Sequence, residues 1–398
     1  MFSKPFSLGP SVAGWLLTSL LLGLAAGSGH GQPLVEADEV PRLSPGATVS
    51  LVTYSAGEEL YTVFGHSAIR ILDEDSGFDR LYNYGTFDFD TPDFYLRFFR
   101  GDIFYVLAVG PSLVEMNERG ALGQGITEQV FGMTADQKQK LFESLEINLR
   151  PANRAYLYDF LLDNCSTRIR DVFEKVYHQP LGASVPAGET YRQMLDPYLQ
   201  RIPWVHFGLF LLLGAGVDRT VDARGACFLP ADLERAVVDA RAGGQPWVSR
   251  HERSFEAQPL PQPVSALKPL PVFSAFAVAW FLFWAVRRHR PSRRLSALFF
   301  IVVGLIGCLI LAGMVYSRYW VLHENWNLCW LFPLHAVAGT CLWSGRLQNG
   351  RRLYFQLTLA GTLLFALASP WLPQRFLPGV YPLVALIAWR SFLEVRWR

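Results

Sequence analysis

The stretch Tyr158-Asp-Phe-Leu-Leu-Asp-Asn164-Cys165-Ser-Thr-Arg168-Ile-Arg-Asp171 puts a cysteine where a helix would begin. Ile169, Val172, Phe173 and Val176 recur at the spacing of one helical face, and Cys165 stands four residues ahead of Ile169 on that face. Asn164 or Asp163 supplies the N-cap that such a start requires. A thiol in a first helical turn meets unpaired N–H groups and the positive end of the helix dipole, and both draw its pKa down toward the reactive thiolate. The same N–H groups can stabilise an oxyanion during acyl transfer. The competing reading is an inert buried cysteine.

A thiol nucleophile needs a base, and a neutral imidazole is the usual acceptor of its proton near neutral pH. His66 sits in Phe64-Gly65-His66-Ser67-Ala68-Ile69, an extended run whose small residues leave room beside the ring. His178 and His206 lie after the helix in turn-like or apolar surroundings and are weaker candidates, and His251 sits at the linker. A third group usually accepts the other imidazole N–H. On the strand that returns from His66, Asn83 is the polar residue nearest the expected rung, although the register stays open at this point. Tyr54 is a further possible donor, with core packing as its alternative. A histidine or asparagine at either position also reads as an ordinary hydrogen-bonded residue when taken alone.

Other chemistries fit less well. No Cys/His pairs stand at zinc-ligand spacing, and no glycine-rich loop suits a phosphate, so neither a metal nor a cofactor is expected. With 36 basic and 34 acidic residues the chain has no broad field for a polyanion, which sets nucleic acid aside. Five cysteines are too few, and odd in number, for a disulfide framework. Cys165 and Cys227 are the two outside the apolar C-terminal half, and both are expected as free thiols.

The elements that must position these groups follow a strands-first pattern. Thr48 to Tyr54 reads as a strand, Val63 to Leu72 as a second, and Arg80 to Tyr84 as its hairpin partner across the Asp73 to Gly77 turn. Ile103 to Val109 and Ile126 to Phe131 are further strand candidates. Thr134 with Gln137 three residues on opens a capping box for a helix through Leu145.

The address of the chain comes from its ends. Lys4, an apolar run from Val12 to about Ala26, and the small or polar residues that follow read as a signal peptide or N-terminal membrane segment over 1–31. A mixed globular domain is expected over 32–250 and a proline-rich linker over 251–269. A membrane domain of about five helices over 270–398 completes the chain, with apolar segments at Leu270–Val286, Leu295–Tyr316, Trp326–Trp343, Leu353–Leu372 and Phe376–Trp389. Each approaches the roughly 20 residues that cross a bilayer. With the globular domain outside, the inside loops hold Arg287, Arg288, Arg290, Arg293 and Arg294, then Arg346, Arg351 and Arg352, then Arg390, Arg396 and Arg398. The outside loops keep only Arg318 and Arg375, as the positive-inside rule requires of an exported domain on a multi-pass anchor in a cytoplasmic membrane.

Phe64-Gly-His-Ser-Ala-Ile69, Tyr82-Asn-Tyr-Gly-Thr-Phe-Asp-Phe89, Phe94-Tyr-Leu-Arg97 and the cysteine stretch ending at Arg168 resemble the periplasmic domain of the Lnb family of bacterial lipoprotein N-acyltransferases. Thr190-Tyr-Arg192, Pro203-Trp204 and Phe228-Leu-Pro-Ala-Asp232 fit the same pattern, so the likeness covers nearly all of residues 45 to 240. Asn325-Trp-Asn-Leu-Cys-Trp330 with Pro333-Leu-His335 is similar to the family's membrane signature. The resemblance implies an α+β, circularly permuted NlpC-type papain-like domain in the periplasm, followed by an all-α transmembrane domain in the bacterial inner membrane. It implies Cys165 as nucleophile and His66 as base, and it leaves Asn83 open. It further implies transfer of an acyl chain from a membrane phospholipid through a Cys165 thioester to the α-amine of a diacylated lipoprotein.

Tyr54, Asn164, Arg168, His323, Asn327 and His335 are the candidate substrate-binding residues. His323, Glu324, Asn325 and Asn327 stand at the outer end of the third expected span, with His335 about two turns deeper. Polar groups at that depth are costly unless they serve a site or find partners. Interfacial anchoring beside Trp320, Trp326 and Trp330 is the alternative. Two other functions compete with the transferase: a membrane-tethered cysteine hydrolase acting on cell-wall peptides or lipids, and a non-catalytic sensor or scaffold.

Overall fold

A seven-stranded antiparallel sheet carries the N-terminal half, its strands lying side by side in the order Ala155–Leu157, Phe104–Pro111, Phe78–Thr86, His66–Asp73, Thr48–Tyr54, Ile126–Phe131 and Val248–Phe255. The computed structural model describes residues 40–182, 188–260, 267–287, 292–346 and 350–396. The expected signal segment lies outside the described residues. Strand β1 (Thr48–Tyr54) is central and buried along almost its whole length, so its polar Ser50 is buried with its apolar neighbours and donates its hydroxyl to Glu128 (2.5 Å). β2 (His66–Asp73) and β3 (Phe78–Thr86) form the hairpin expected over this region. β2 begins at His66 and not at Val63, because Leu60–Thr62 is a 3-10 turn and Gly65 takes φ +79°. A Cβ on Gly65 would stand 2.6 Å from the Tyr54 carbonyl, so only glycine can bend the chain there and start the strand at the histidine.

The chain continues through helix α1 (Phe94–Arg100), β4 (Phe104–Pro111), α2 (Ser112–Ala121), β5 (Ile126–Phe131), α3 (Ala135–Leu149) and β6 (Ala155–Leu157). The Thr134–Gln137 capping box opens α3 as its sequence predicts. Helices cover both faces of the sheet. Val52, Tyr54, Ala68, Leu81 and Ile126 bury one face against Met116 of α2. On the other, Phe78 meets Phe142 of α3 and Phe131 lies 4.2 Å, ring to ring, from Phe173 of α4 (Cys165–Tyr177). The order then runs α5 (Tyr191–Leu199), α6 (Pro203–Leu212), α7 (Ala223–Ala226), α8 (Pro230–Asp239), the small β7 (Arg241–Ala242) and β8 (Gln245–Pro246) pair, and β9 (Val248–Phe255). β9 pairs with β5 and closes one sheet edge. The linker expected from residue 251 therefore begins after Phe255; this edge strand is polar and charged on both faces and carries no alternation to betray it.

The C-terminal part is helical: α9 (Pro269–Arg287), α10 (Arg293–Tyr316), α11 (Leu334–Ser344), α12 (Arg351–Ala368) and α13 (Val380–Arg396). Among the described residues, Arg293–Tyr316 and Arg351–Trp371 are long and apolar enough to cross a bilayer. The third expected span, Trp326–Trp343, is not one helix. Trp326–Cys329 is a 3-10 turn, and the helix starts only after Pro333. α10 packs backbone to backbone against α11 and the turn ahead of it: a Cβ on Gly304 would stand 1.9 Å from the Ala336 nitrogen, and one on Gly307 would stand 1.9 Å from the Leu331 oxygen. Phe300, Trp330, Phe355, Phe365 and Val384 fill the core between these helices.

The two halves are joined by more than the linker. Helix α6 is apolar on nearly every side, and its Phe207 belongs to the core of the helical part. Its last carbonyls would be unpaired at such a contact. Instead Asn325 Nδ2 donates to the oxygens of Leu211 (3.0 Å) and Leu212 (2.8 Å), Asn327 Nδ2 donates to Leu211 (3.1 Å), and Gln374 Nε2 donates to Leu213 (3.1 Å).

Candidate active site

Asn164 places the cysteine. Its side-chain oxygen accepts from the Thr167 N–H (2.9 Å) and Thr167 Oγ1 closes the box on the Asn164 N–H (2.8 Å), so α4 starts with Cys165 in its first turn. Such a cap contributes about 1 kcal/mol. The amide nitrogen of Asn164 also donates to the carbonyls of Phe160 (2.7 Å) and Phe228 (2.9 Å), which ties the helix start to the chain ahead of α8. With every polar atom engaged and 3% exposure, Asn164 positions the helix and offers nothing to a substrate.

The sheet delivers the imidazole. His66 opposes Tyr54 across the β1–β2 ladder, and its Nε2 lies 2.5 Å from Asn83 Oδ1 on β3. The β2–β3 register pairs Ile69 with Tyr82, so the rung of His66 extrapolates to Gly85 and Asn83 reaches it diagonally from two residues back on the same face. Because a carbonyl oxygen only accepts, Nε2 carries the proton and Nδ1 is left for the sulfur. Gly85 keeps the space between the two reacting groups open: a Cβ there would stand 3.6 Å from both Cys165 Cβ and His66 Cε1, and its φ of +99° excludes other residues.

The electrostatics follow from this contact. Burial opposes ionisation of Cys165 and is the largest single influence on it. The charge of His66, its hydrogen bond to the sulfur, the Ser67 backbone N–H and the Ser166 hydroxyl together outweigh burial and bring the thiol down from 9.0 to about 7. Burial likewise pushes His66 down, but the thiolate charge and hydrogen bond of Cys165, aided by Asn83, leave it above 6.5 against the opposing charge of Arg119. The pair is therefore poised as thiolate and imidazolium near neutral pH, and the thiol is partly accessible and free. Cys227 is its opposite: fully buried, free, and pushed by burial up to about 12.

Two further neighbours of the thiol and imidazole escape a sequence reading. Asn83 Nδ2 donates to both carboxylate oxygens of Glu115 on α2, at 3.0 and 3.2 Å. A carboxylate only accepts, so Glu115 dictates which end of the Asn83 amide faces His66. Nothing in the spacing links residue 115 to residue 83; only the β3–β4 ladder, followed at once by α2, brings them together. Tyr156 on β6 is the second. Its hydroxyl would lie 3.9 Å from a Cβ on Gly85, it has no hydrogen-bond partner among the described residues, and burial beside the Cys165 charge holds its pKa up, so it stays a donor.

The remaining candidates take other places. Tyr54 is fully buried with its ring 6.1 Å from that of His66, as a packing wall of the site. Arg168 forms a two-pronged ion pair with Asp163 (2.6 and 2.7 Å) and lies over the Tyr156 ring at 3.8 Å, so it shapes the site from behind. His323 Nε2 bonds the Ser317 carbonyl (3.0 Å). Asn327, besides capping α6, accepts from Trp330 Nε1 (3.0 Å), and His335 Nδ1 meets the Tyr354 hydroxyl (2.6 Å) among Phe300 and Phe332. The structure thus joins Cys165, His66, Asn83 and Tyr54 and leaves His323, Asn327 and His335 in the helical part with structural partners.

An α+β domain with a thiol, an imidazole and an amide in sequence contact, seated on a bundle of apolar helices, defines a two-part protein with a cysteine site next to a membrane domain. Two family models match it in order: the Lnb N-terminal periplasmic domain over residues 42–196 and the Lnb transmembrane domain over residues 262–397. The chain belongs to the Lnb family. No curated protein and no solved structure matches it.

Proposed function

We propose that this protein is a lipoprotein N-acyltransferase of the inner membrane. It moves an acyl chain from a membrane phospholipid to the free α-amine of the N-terminal, diacylated cysteine of bacterial lipoproteins. The observation that carries the reading is the Cys165–His66–Asn83 contact at the mouth of α4, on a domain tied to membrane helices through α6. The histidine strand precedes the cysteine helix, the order of a circularly permuted NlpC-type papain-like fold.

The chemistry runs in two half-reactions. His66 Nδ1 takes the Cys165 proton, and the thiolate adds to an ester carbonyl of the donor. The oxyanion that forms can be met by the Tyr156 hydroxyl and by N–H groups of the first turn of α4. The ester C–O bond then breaks, and the departing lysolipid oxygen takes the proton from His66, which leaves an acyl thioester on Cys165. In the second half the neutral acceptor amine adds to the thioester carbonyl and gives a proton to His66. The C–S bond breaks, the amide is released, and the thiolate recovers the proton. Seating both substrates in one bilayer raises their effective concentration at the site.

Mass spectrometry of lipoprotein N-termini tests the reading. Cells with the wild-type protein should carry the N-acyl mass, and cells with Cys165→Ala should lack it. An unchanged N-acyl mass in the variant would defeat it.

A further inference from the structure

Helix α1 presents a largely exposed apolar surface. Tyr95, Leu96 and Phe98 are 75%, 55% and 41% exposed, and Phe89, just ahead of the helix, is 55% exposed. A patch of this kind on a seven-residue helix has to meet something other than water.

The position of α1 says what that is. Phe99 packs against Gly313 in the last turns of α10, the Arg100 carbonyl accepts from the Arg318 N–H just beyond that helix (2.8 Å), and the Phe98 ring lies 6.1 Å from that of Tyr319. The same end of α10 exposes Val315 and Tyr316 at 64% and 70%. The patch is therefore continuous with the outer end of a helix long and apolar enough to cross the bilayer, at the depth where tyrosine and aromatic side chains collect. A short helix with aromatic and leucine side chains out and arginines at its last turn suits the interface plane.

Behind the patch, rings lead inward to the thiol. Phe94 lies 6.3 Å from Phe98 and 5.7 Å from Phe87, Phe87 lies 4.8 Å from Tyr105, and Tyr105 stacks on Tyr158 at 4.0 Å. Tyr105 pairs with Tyr156 across the β4–β6 ladder, and a Cβ on Gly85 would lie 3.9 Å from the Tyr156 hydroxyl and 3.6 Å from Cys165 Cβ, which brings the end of the row to the surroundings of the sulfur.

We propose that α1 lies in the bilayer interface on the side of the α+β domain, and that its Tyr95, Leu96 and Phe98 face binds acyl lipid and leads the donor's chain past Phe94 and Phe87 toward Cys165. The delivery step rests on the acyltransferase reading; the lipid contact does not.

The full-length protein in phospholipid nanodiscs tests both parts. With the photoreactive benzoylphenylalanine placed at Leu96, irradiation should give a phospholipid adduct, detected by mass spectrometry, at least tenfold above that from the same group placed at Lys140 on α3, a side chain 67% exposed. Equal yields at the two positions would overturn the lipid contact, whether or not the protein transfers acyl groups. In the second arm, the triple change Tyr95→Ser, Leu96→Ser and Phe98→Ser should slow acylation of Cys165 by nanodisc phospholipid at least tenfold. Acylation by the water-soluble ester p-nitrophenyl butyrate and alkylation by iodoacetamide should stay within about twofold, which also shows that the variant is folded. Phospholipid acylation at the wild-type rate would overturn delivery through α1, and an equal loss with the soluble ester would assign the patch to folding of the site instead.

Discussion

Replacing Glu115 by leucine removes the carboxylate that holds the Asn83 amide nitrogen, whose two contacts measure 3.0 and 3.2 Å. With that acceptor gone, the amide can turn over and present its N–H groups to His66 Nε2. A turned amide repels an imidazolium N–H and favours the tautomer with the proton on Nδ1, where it cannot take a proton from sulfur. A hydrogen bond to a charged group is worth about 1.5–3 kcal/mol, which corresponds to roughly a ten- to hundredfold loss in the rate of Cys165 acylation. The thiolate also loses part of its imidazolium partner, so its pKa moves up from about 7 toward 9.0. The assay is the rate of Cys165 alkylation by iodoacetamide against pH, alongside the acylation rate. Glu115→Leu should shift the alkylation midpoint to higher pH, whereas Glu115→Gln, which keeps an accepting oxygen, should retain most of both. A wild-type midpoint and rate in Glu115→Leu, or equal losses in leucine and glutamine variants, would refute the reasoning.

Three further predictions use the same protein. In His66→Ala the thiolate has no cationic neighbour, so the midpoint of alkylation, which rises with pH as the thiolate forms, should move from about 7 toward 9.0 while acylation is lost; a midpoint that stays near 7 would assign the depressed thiol to the helix end alone. Tyr156→Phe should lower acylation by about a hundred- to thousandfold, the usual effect of removing one oxyanion donor, and should leave alkylation unchanged because that displacement forms no oxyanion; a parallel fall in both rates would make Tyr156 a packing residue only. Asn325→Leu takes the donor from the Leu212 carbonyl and should cost about 1–3 kcal/mol, read as a lower melting temperature of the detergent-solubilised protein, and no change in melting would remove the clamp on α6 from the account.

The sequence announces what is local. The buried run of β1, the Thr134 capping box and the Asn164 cap of α4 are each contained within a few residues, and the structure forms them where their chemistry lies. The Asn83 contact was legible as far as the hairpin, because a β2–β3 pair brings the two strands' polar residues to one face, but its diagonal register depends on Gly65 and Gly85. Glu115 and Tyr156 were out of reach because they arrive on α2 and β6, which join the site only through sheet order. β9 lacked a signal since an exposed edge strand buries neither face. The polar residues of the third apolar segment fit a site or interfacial anchoring alike in the sequence, and for Asn325 and Asn327 a pattern of residues cannot say that their partners are carbonyls more than a hundred residues away.

The covalent intermediate is where the account is most exposed. Full-length protein in nanodiscs, incubated with phospholipid bearing an isotopically labelled acyl chain and no acceptor, should gain one acyl mass on Cys165. Hydroxylamine should release it, and a synthetic diacylated lipopeptide with a free amino terminus should discharge it with appearance of the labelled amide. Formation of that amide by the Cys165→Ala variant, or by wild-type protein that never carries the acyl group on Cys165, would contradict a mechanism built on this thiol.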